Sequence, residues 1–114
     1  MEAGEKLNAL ISERIFGIKV IMENYMDREG RIWTPYIDRE LFPDYSGDIS
    51  PAWKIVEKTG LFRNHHLVLW QDKLDGAWHI SETDTGEILN AVAVADTAPL
   101  AICWAALKLV GEEA

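Results

Sequence analysis

The fold is determined by residues 66–110, which read HLVLWQDKLDGAWHISETDTGEILNAVAVADTAPLAICWAALKLV. Three strand-like segments and two turn-rich segments alternate in the first thirty residues. The strands are predicted at 66–71, 77–81 and 88–95, and the turns at 72–76 and 82–86. Short strands joined by short turns pair with their neighbours, so the sequence predicts an antiparallel meander.

The side chains of this meander indicate where helices pack. Leu67 and Leu69 alternate with Val68 and Trp70, so both faces of the first strand are apolar. In the third strand small alanines occupy one face at positions 91, 93 and 95. Small side chains allow a helix to lie close to the sheet, and we expect helices on both faces.

A C-terminal helix follows the meander. Asp96 or Thr97 can cap its free N–H groups, and Pro99 suits the first turn. Apolar residues recur at helical spacing until Gly111, namely Leu100, Cys103, Trp104, Leu107 and Val110. This periodicity predicts a helix with one buried stripe.

Two further helices are predicted upstream. Leu7, Leu10, Ile11 and Ile15 line one face of a helix that ends at Gly17. The second helix begins at Ser50 and Pro51, with Ser50 as the cap, and ends at Thr59 and Gly60. We expect Trp53, Val56 and Ile55 of this helix to face inward.

Between these two helices the pattern favours a β-hairpin. Alternation from Ile18 to Met22, a turn at residues 27–30 and a return through Ile32 and Trp33 carry this prediction. The predicted fold class is therefore α+β, a small antiparallel sheet with helices on both faces (an α/β/α sandwich), in the order α, hairpin, α, β, β, β, α. Residues 1–114 are expected to form a single domain.

The segment from Thr34 to Asp48 has neither helical nor strand periodicity and is predicted to be a long ordered loop. Loops longer than about 12 residues tend to be functional or disordered, and aromatic residues argue against disorder. The candidate binding residues are Trp33, Tyr36, Arg39, Phe42 and Tyr45. The alternative is that the aromatic residues of this loop only fill the edge of the core.

Charge and cysteine content exclude several classes of function. The net charge of −8 repels phosphate backbones and anionic membranes, so we expect no direct nucleic-acid or membrane binding. A single cysteine forms no internal disulfide, and no signal peptide precedes the polar N-terminal residues. The protein is therefore expected in the cytoplasm.

Candidate catalytic and metal-binding residues are few. Asp84-Thr85-Gly86 matches the core of aspartic proteases, but polar neighbours favour a hairpin turn. His65, His66, His79 and Cys103 have side chains of the types that bind zinc. Adjacent strand residues such as His65 and His66 point to opposite faces, and Cys103 lies on an apolar helix face. We predict no metal, no cofactor and no catalytic residue.

Three blocks of sequence resemble a known family. They are residues 7–17 (LNALISERIFG), 45–58 (YSGDISPAWKIVEK) and 96–107 (DTAPLAICWAAL). In this order they are similar to the phage ABA sandwich domain family, small proteins of bacteriophages and prophages. The resemblance implies helix, sheet and helix layers and a phage origin, and it implies no catalytic residues. The segment 34–49 does not match the family pattern.

Three functional hypotheses follow. The first is a non-enzymatic phage accessory protein that binds a host or phage macromolecule, such as a protein, through its acidic and aromatic surface. The second is a protein that binds a small nucleotide-like ligand, for which Arg28, Arg31, Arg39 and Arg63 are the available arginines. The third is an enzyme of an unrecognised class. A homodimer is an open alternative to a monomer.

Overall fold

Three helices and five strands make up the part of the chain that the computed structural model describes, residues 2–18, 25–26, 32–33 and 43–111. In chain order these are α1 (Glu5–Arg14), β1 (Tyr25–Met26), β2 (Ile32–Trp33), α2 (Ile49–Thr59), β3 (Leu67–Gln71), β4 (Trp78–Asp84), β5 (Glu87–Ala95) and α3 (Ala98–Leu109). The predicted α+β class and the predicted order of elements are confirmed.

The predicted meander forms an antiparallel sheet in the order β3-β4-β5. Leu69 pairs with Ile80, and Ile80 pairs with Ala93, so these residues share one face. β4 extends to Asp84, beyond the predicted strand end. The turn to β5 is therefore tight and centred on Thr85 and Gly86, whose φ values of 49° and 84° suit a two-residue hairpin turn.

Helix α3 packs against the sheet through β4 and β5 and also contacts α1 and α2. The prediction of a small-residue face on β5 is confirmed for Ala93 and Ala95, which are 4% and 6% exposed. It is wrong for Ala91, which is exposed where the pairing of β4 and β5 shifts register.

The predicted stripe of α3 is confirmed at Cys103 and Leu107, which are buried, and is wrong at Val110, which follows the helix end and is 47% exposed. The buried face is also wider than one stripe. The buried residues of α3 surround most of its circumference: Ala101, Ile102, Cys103, Ala105, Ala106 and Leu107. A helix that is apolar on all sides belongs in the interior.

The helix caps agree with prediction at α3 and differ at α2. Thr97 caps α3 by accepting a hydrogen bond from Leu100 N at 3.4 Å. In α2 the cap is Asp48, which accepts from Ser50 N at 3.1 Å, so the predicted cap Ser50 already lies inside the helix. Gly60 ends α2 in a left-handed conformation, as predicted. α1 ends at Arg14, three residues before Gly17.

Strands β1 and β2 pair in antiparallel fashion, with Tyr25 opposite Trp33. The predicted hairpin between α1 and α2 is confirmed to this extent. Ile18, where the first strand was predicted to start, has no strand conformation. Val20, Met22 and the turn at residues 27–30 lie outside the described residues.

A buried polar network joins α1 to residues 44–46. Asn8 Oδ1 accepts hydrogen bonds from Ser46 N at 2.9 Å and from Ser46 Oγ at 2.7 Å. Asn8 Nδ2 donates to Asp44 Oδ1 at 3.0 Å, and Gly4 N donates to Ser46 Oγ at 2.9 Å. Buried polar groups are stable only when paired, so this network fixes residues 44–46 against α1.

Candidate functional site

The predicted aromatic loop falls mostly in the segment that is not described. Tyr36, Arg39 and Phe42 lie outside the described residues. Trp33 is described only by its position in β2, opposite Tyr25. The binding role predicted for these residues stays a prediction.

Tyr45, the remaining candidate of the loop, lies in the core. Its side chain is 4% exposed, and its ring stacks on Phe16 with centroids 5.2 Å apart. Burial raises the pKa of its hydroxyl, against a smaller opposite effect of a hydrogen bond from Ser12. Tyr45 therefore fills the core edge, as the alternative interpretation stated, and is not part of an exposed binding surface.

The exposed aromatic surface of the described chain lies on α2. Trp53 is 45% exposed, so the prediction that it faces inward is wrong. The buried face of α2 is formed by Ala52, Ile55 and Val56. Trp53 projects about 100° away from Ala52 around the helix axis, which places it at the edge of that face. Its ring packs on Phe62 with centroids 6.1 Å apart.

An apolar groove of about 550 Å³ opens on one side of Trp53. It is formed where the first turns of α2 and α3 approach the sheet. Its lining residues are Ile49, Trp53, Leu69, Trp78, Asp96, Thr97, Ala98 and Pro99. Ile49 is 47% exposed, so two large apolar side chains at the start of α2 contact solvent. Sequence analysis missed this groove because its residues come from four separate segments.

A second concavity, of about 500 Å³, lies at the other end of α2. It is lined by Trp53, Val56, Glu57, Lys58, Gly60, Phe62, Arg63 and Asn64. This pocket brings the cations of Lys58 and Arg63 near the exposed ring of Trp53. Arg28, Arg31 and Arg39 lie outside the described residues.

The three histidines and Cys103 do not lie together as a zinc site. His66 O accepts a hydrogen bond from Thr83 N, whereas His79 lies four residues away on β4, about 13 Å along the strand. Cys103 is fully buried within α3. Burial, together with the negative charge of Asp44, raises the pKa of its thiol to about 12. A thiol in this state is not a nucleophile near neutral pH.

The Asp84-Thr85-Gly86 sequence is a hairpin turn. Asp84 is exposed and pairs with Glu87 across the turn. A protease dyad requires buried aspartates, so this arrangement lacks the environment of that chemistry.

Comparison with known proteins gives the family. The sequence profile of the phage ABA sandwich domain matches residues 9–107. The chain belongs to this family. Its helices and antiparallel sheet agree with the layers from which the phage ABA sandwich takes its name.

A solved structure supports this assignment. The crystal structure of a phage protein from Bacillus cereus ATCC 14579 is similar to this phage ABA sandwich protein, with a TM-score of 0.63 and 27% sequence identity, over 96% of this chain and 89% of that one. No curated protein matches the sequence. Among the described helices, none is sufficiently long and apolar to span a membrane.

Proposed function

We propose that this phage protein is a non-enzymatic accessory protein that binds a host or phage protein in the cytoplasm of the infected cell. The observation that carries the proposal is the apolar groove between the first turns of α2 and α3. Solvent-exposed apolar surface with a polar rim is typical of interaction sites. Of the predicted aromatic loop, Tyr45 is buried and is therefore not part of this contact surface. The predicted binding role of Trp33, Tyr36, Arg39 and Phe42 stays a prediction beside the groove.

The composition of the groove suits a protein partner. Tryptophan is enriched among the residues that dominate binding energy in protein interfaces, and Trp53 and Trp78 both line the groove. Leu69 and Pro99 add apolar walls without charged groups. An apolar side chain of a partner, such as leucine or phenylalanine, would bury its surface between the two indole rings.

The charge of the protein restricts the partner further. The net charge is −8, and Asp96 lies at the rim of the groove. Complementary charge accelerates association and selects partners, so a protein with basic residues around an apolar anchor is favoured. A basic protein surface, such as one that binds nucleic acid, has this chemistry.

The proposal is tested by capturing partners from host extract with the wild-type protein and with Trp53→Ala. Trp53→Ala removes the largest exposed apolar side chain of the groove, and we expect the captured protein to be lost. Ile88→Ala is the matched control, because Ile88 is 53% exposed near the opposite end of the sheet. The Ile88→Ala variant should capture the same protein as wild type. High salt should release the captured protein from both.

Equal capture by wild type and Trp53→Ala would contradict the proposal. Capture that is insensitive to salt would contradict the part assigned to charge.

The pocket with Lys58 and Arg63 supports a second candidate, a nucleotide-like ligand. An aromatic ligand ring could stack on Trp53 while a phosphate contacts the Arg63 guanidinium. Native mass spectrometry of gently purified protein would detect such a ligand as a mass excess of a few hundred daltons. Arg63→Ala should abolish the excess and Lys54→Ala should not. Two results together would contradict this candidate: a purified protein with only the mass of the chain, and no binding of ATP when ATP is added.

A further inference from the structure

The turn between β3 and β4 brings together three side chains that offer metal ligands. Asp72 and Asp75 lie in this turn, and His79 follows on β4. One ligand atom from each of the three lies within 4.8 Å of the others. Of the described residues, only these three form such a group.

Hydrogen bonds hold both carboxylates in place. Asp72 Oδ1 accepts from Leu74 N at 2.8 Å, and Asp75 Oδ1 accepts from Ala77 N at 2.8 Å. The backbone of the turn is closed by Asp72 N donating to Ala77 O at 2.9 Å. Each carboxylate therefore has a fixed orientation and one further oxygen.

His79 supplies an independent observation. Its Nε2 atom is buried and forms no hydrogen bond to any described residue. Nε2 lies 3.9 Å from Asp75 Oδ2, which is beyond hydrogen-bonding distance, and the imidazole is only 15% exposed. A buried nitrogen without a hydrogen bond is unfavourable, so the structure favours a ligand between His79 and the carboxylates.

The ring of His79 has little freedom to find that partner elsewhere. It stacks on Trp70 with centroids 4.4 Å apart and an interplanar angle of 20°. Trp70 in turn donates from Nε1 to Ser81 Oγ at 3.1 Å. The stack holds the plane of the imidazole and keeps Nε2 near Asp75.

We propose that Asp72, Asp75 and His79 bind a divalent transition-metal ion of the zinc class. An imidazole nitrogen with two carboxylate oxygens suits zinc better than calcium or magnesium, which prefer oxygen ligands alone. Ligands of a tetrahedral zinc ion lie about 3.3 Å apart. The three ligand atoms, which lie within 4.8 Å of one another and 3.9 Å apart for His79 and Asp75, must therefore move closer together on binding. Water completes the coordination.

The ion would lie across β4 from the groove that we propose as the contact surface, because consecutive strand residues point to opposite faces. Trp78 immediately precedes His79 and lines that groove. Binding would fix the start of β4, and the metal site stands independently of whether the groove binds a protein.

The test measures zinc binding by isothermal titration calorimetry, using protein without an affinity tag that has been treated with a chelator. We expect one zinc ion per chain. Asp72→Asn and Asp75→Asn keep the oxygen that accepts the turn hydrogen bond but lose the charge. Loss of a group that only orients a ligand costs about 10-fold or more in affinity, and loss of a ligand should weaken binding at least as much. Asp84→Asn, the same change at an exposed position of β4, should leave the affinity unchanged.

A spectroscopic measurement locates the ion. Cobalt bound at His79 should quench the fluorescence of the stacked Trp70, and Asp75→Asn should reduce this quenching at a given cobalt concentration. His79→Gln should abolish both zinc binding and quenching; circular dichroism checks that it folds. If His79→Gln does not fold, the zinc affinities of Asp72→Asn and Asp75→Asn test the site instead.

Two results would overturn the proposal. One is the absence of heat and of quenching at millimolar metal. The other is unchanged affinity in the aspartate variants, which would place the metal on exposed histidines such as His65 and His66.

Discussion

Helices α2 and α3 have 11 and 12 residues and begin side by side at the groove, yet they differ in what surrounds them. α3 contacts both other helices and two strands, and six of its residues are buried. α2 buries three residues on one side and exposes Trp53 and Ile49 on the other. Composition accounts for part of this difference, because α3 contains one charged residue and α2 contains three. It does not account for the exposure of Trp53 and Ile49, which are as apolar as the buried residues of α3.

This difference separates stability from recognition. Truncation of a buried side chain of α3 removes contacts with the other two helices or with β4 and β5. Truncation of an exposed side chain of α2 removes few contacts within the protein. Large apolar side chains at these positions therefore favour contact with an external partner over a role in stability. The following predictions test this separation in order of decreasing effect on stability.

The largest effect is expected for Leu107→Ala in α3. Leu107 is fully buried, and its truncation leaves a cavity in the core. The free energy of unfolding should fall by about 2–5 kcal/mol, measured by denaturant unfolding. Leu109→Ala is the control, since Leu109 is 37% exposed on the same helix and its truncation should cost less than about 1 kcal/mol. Equal losses in the two variants would mean that α3 is not the central helix.

The next effect is expected for Asn8→Ala in α1. This change leaves the buried Ser46 N and Oγ groups without the oxygen that they contact. The free energy of unfolding should decrease by about 1–3 kcal/mol. The exposed residue Lys6 on the same helix provides the control Lys6→Ala, which should be close to wild type. A neutral Asn8→Ala would show that the network does not fix residues 44–46.

A smaller effect is expected from the thiol of Cys103. Its pKa is raised from 9.0 to about 12 in the folded protein by burial and by Asp44. The unfolded chain therefore releases this proton first, and stability is lost as the pH rises from 9 towards 12. Unfolding at pH 9 and 10 should differ by about 1 kcal/mol more in wild type than in Cys103→Ala. Parallel pH profiles would contradict the burial of the thiol.

The sequence predicted the elements of the fold better than their surroundings. The Thr97 cap and Pro99 placed the start of α3 because capping is a local interaction. The environment of α3 was not predicted, since a stripe at helical spacing does not show how many layers will contact a helix. The tight turn at Thr85 and Gly86 was placed within a longer predicted turn, because β4 continues through polar residues that usually indicate a loop.

The candidate sites were harder to predict for the same reason. Trp53 was predicted to face inward because it lies among apolar residues of α2. Its contact with Phe62, which follows the helix end, holds the ring at the edge of the buried face, and helical spacing does not encode this contact. Asp72 and Asp75 were interpreted only as turn residues. Their proximity to His79 depends on the closure of the turn and on the stack with Trp70, neither of which is encoded in residue spacing.

The central claim, that the exposed side of α2 serves recognition, is tested most directly by measuring stability and binding together in Trp53→Ala. The account predicts a change in the free energy of unfolding within about 1 kcal/mol of wild type and loss of the captured host or phage protein. Ile88→Ala should change neither quantity. A Trp53→Ala protein that loses several kcal/mol of stability, or that is stable and still captures the partner, would contradict the claim.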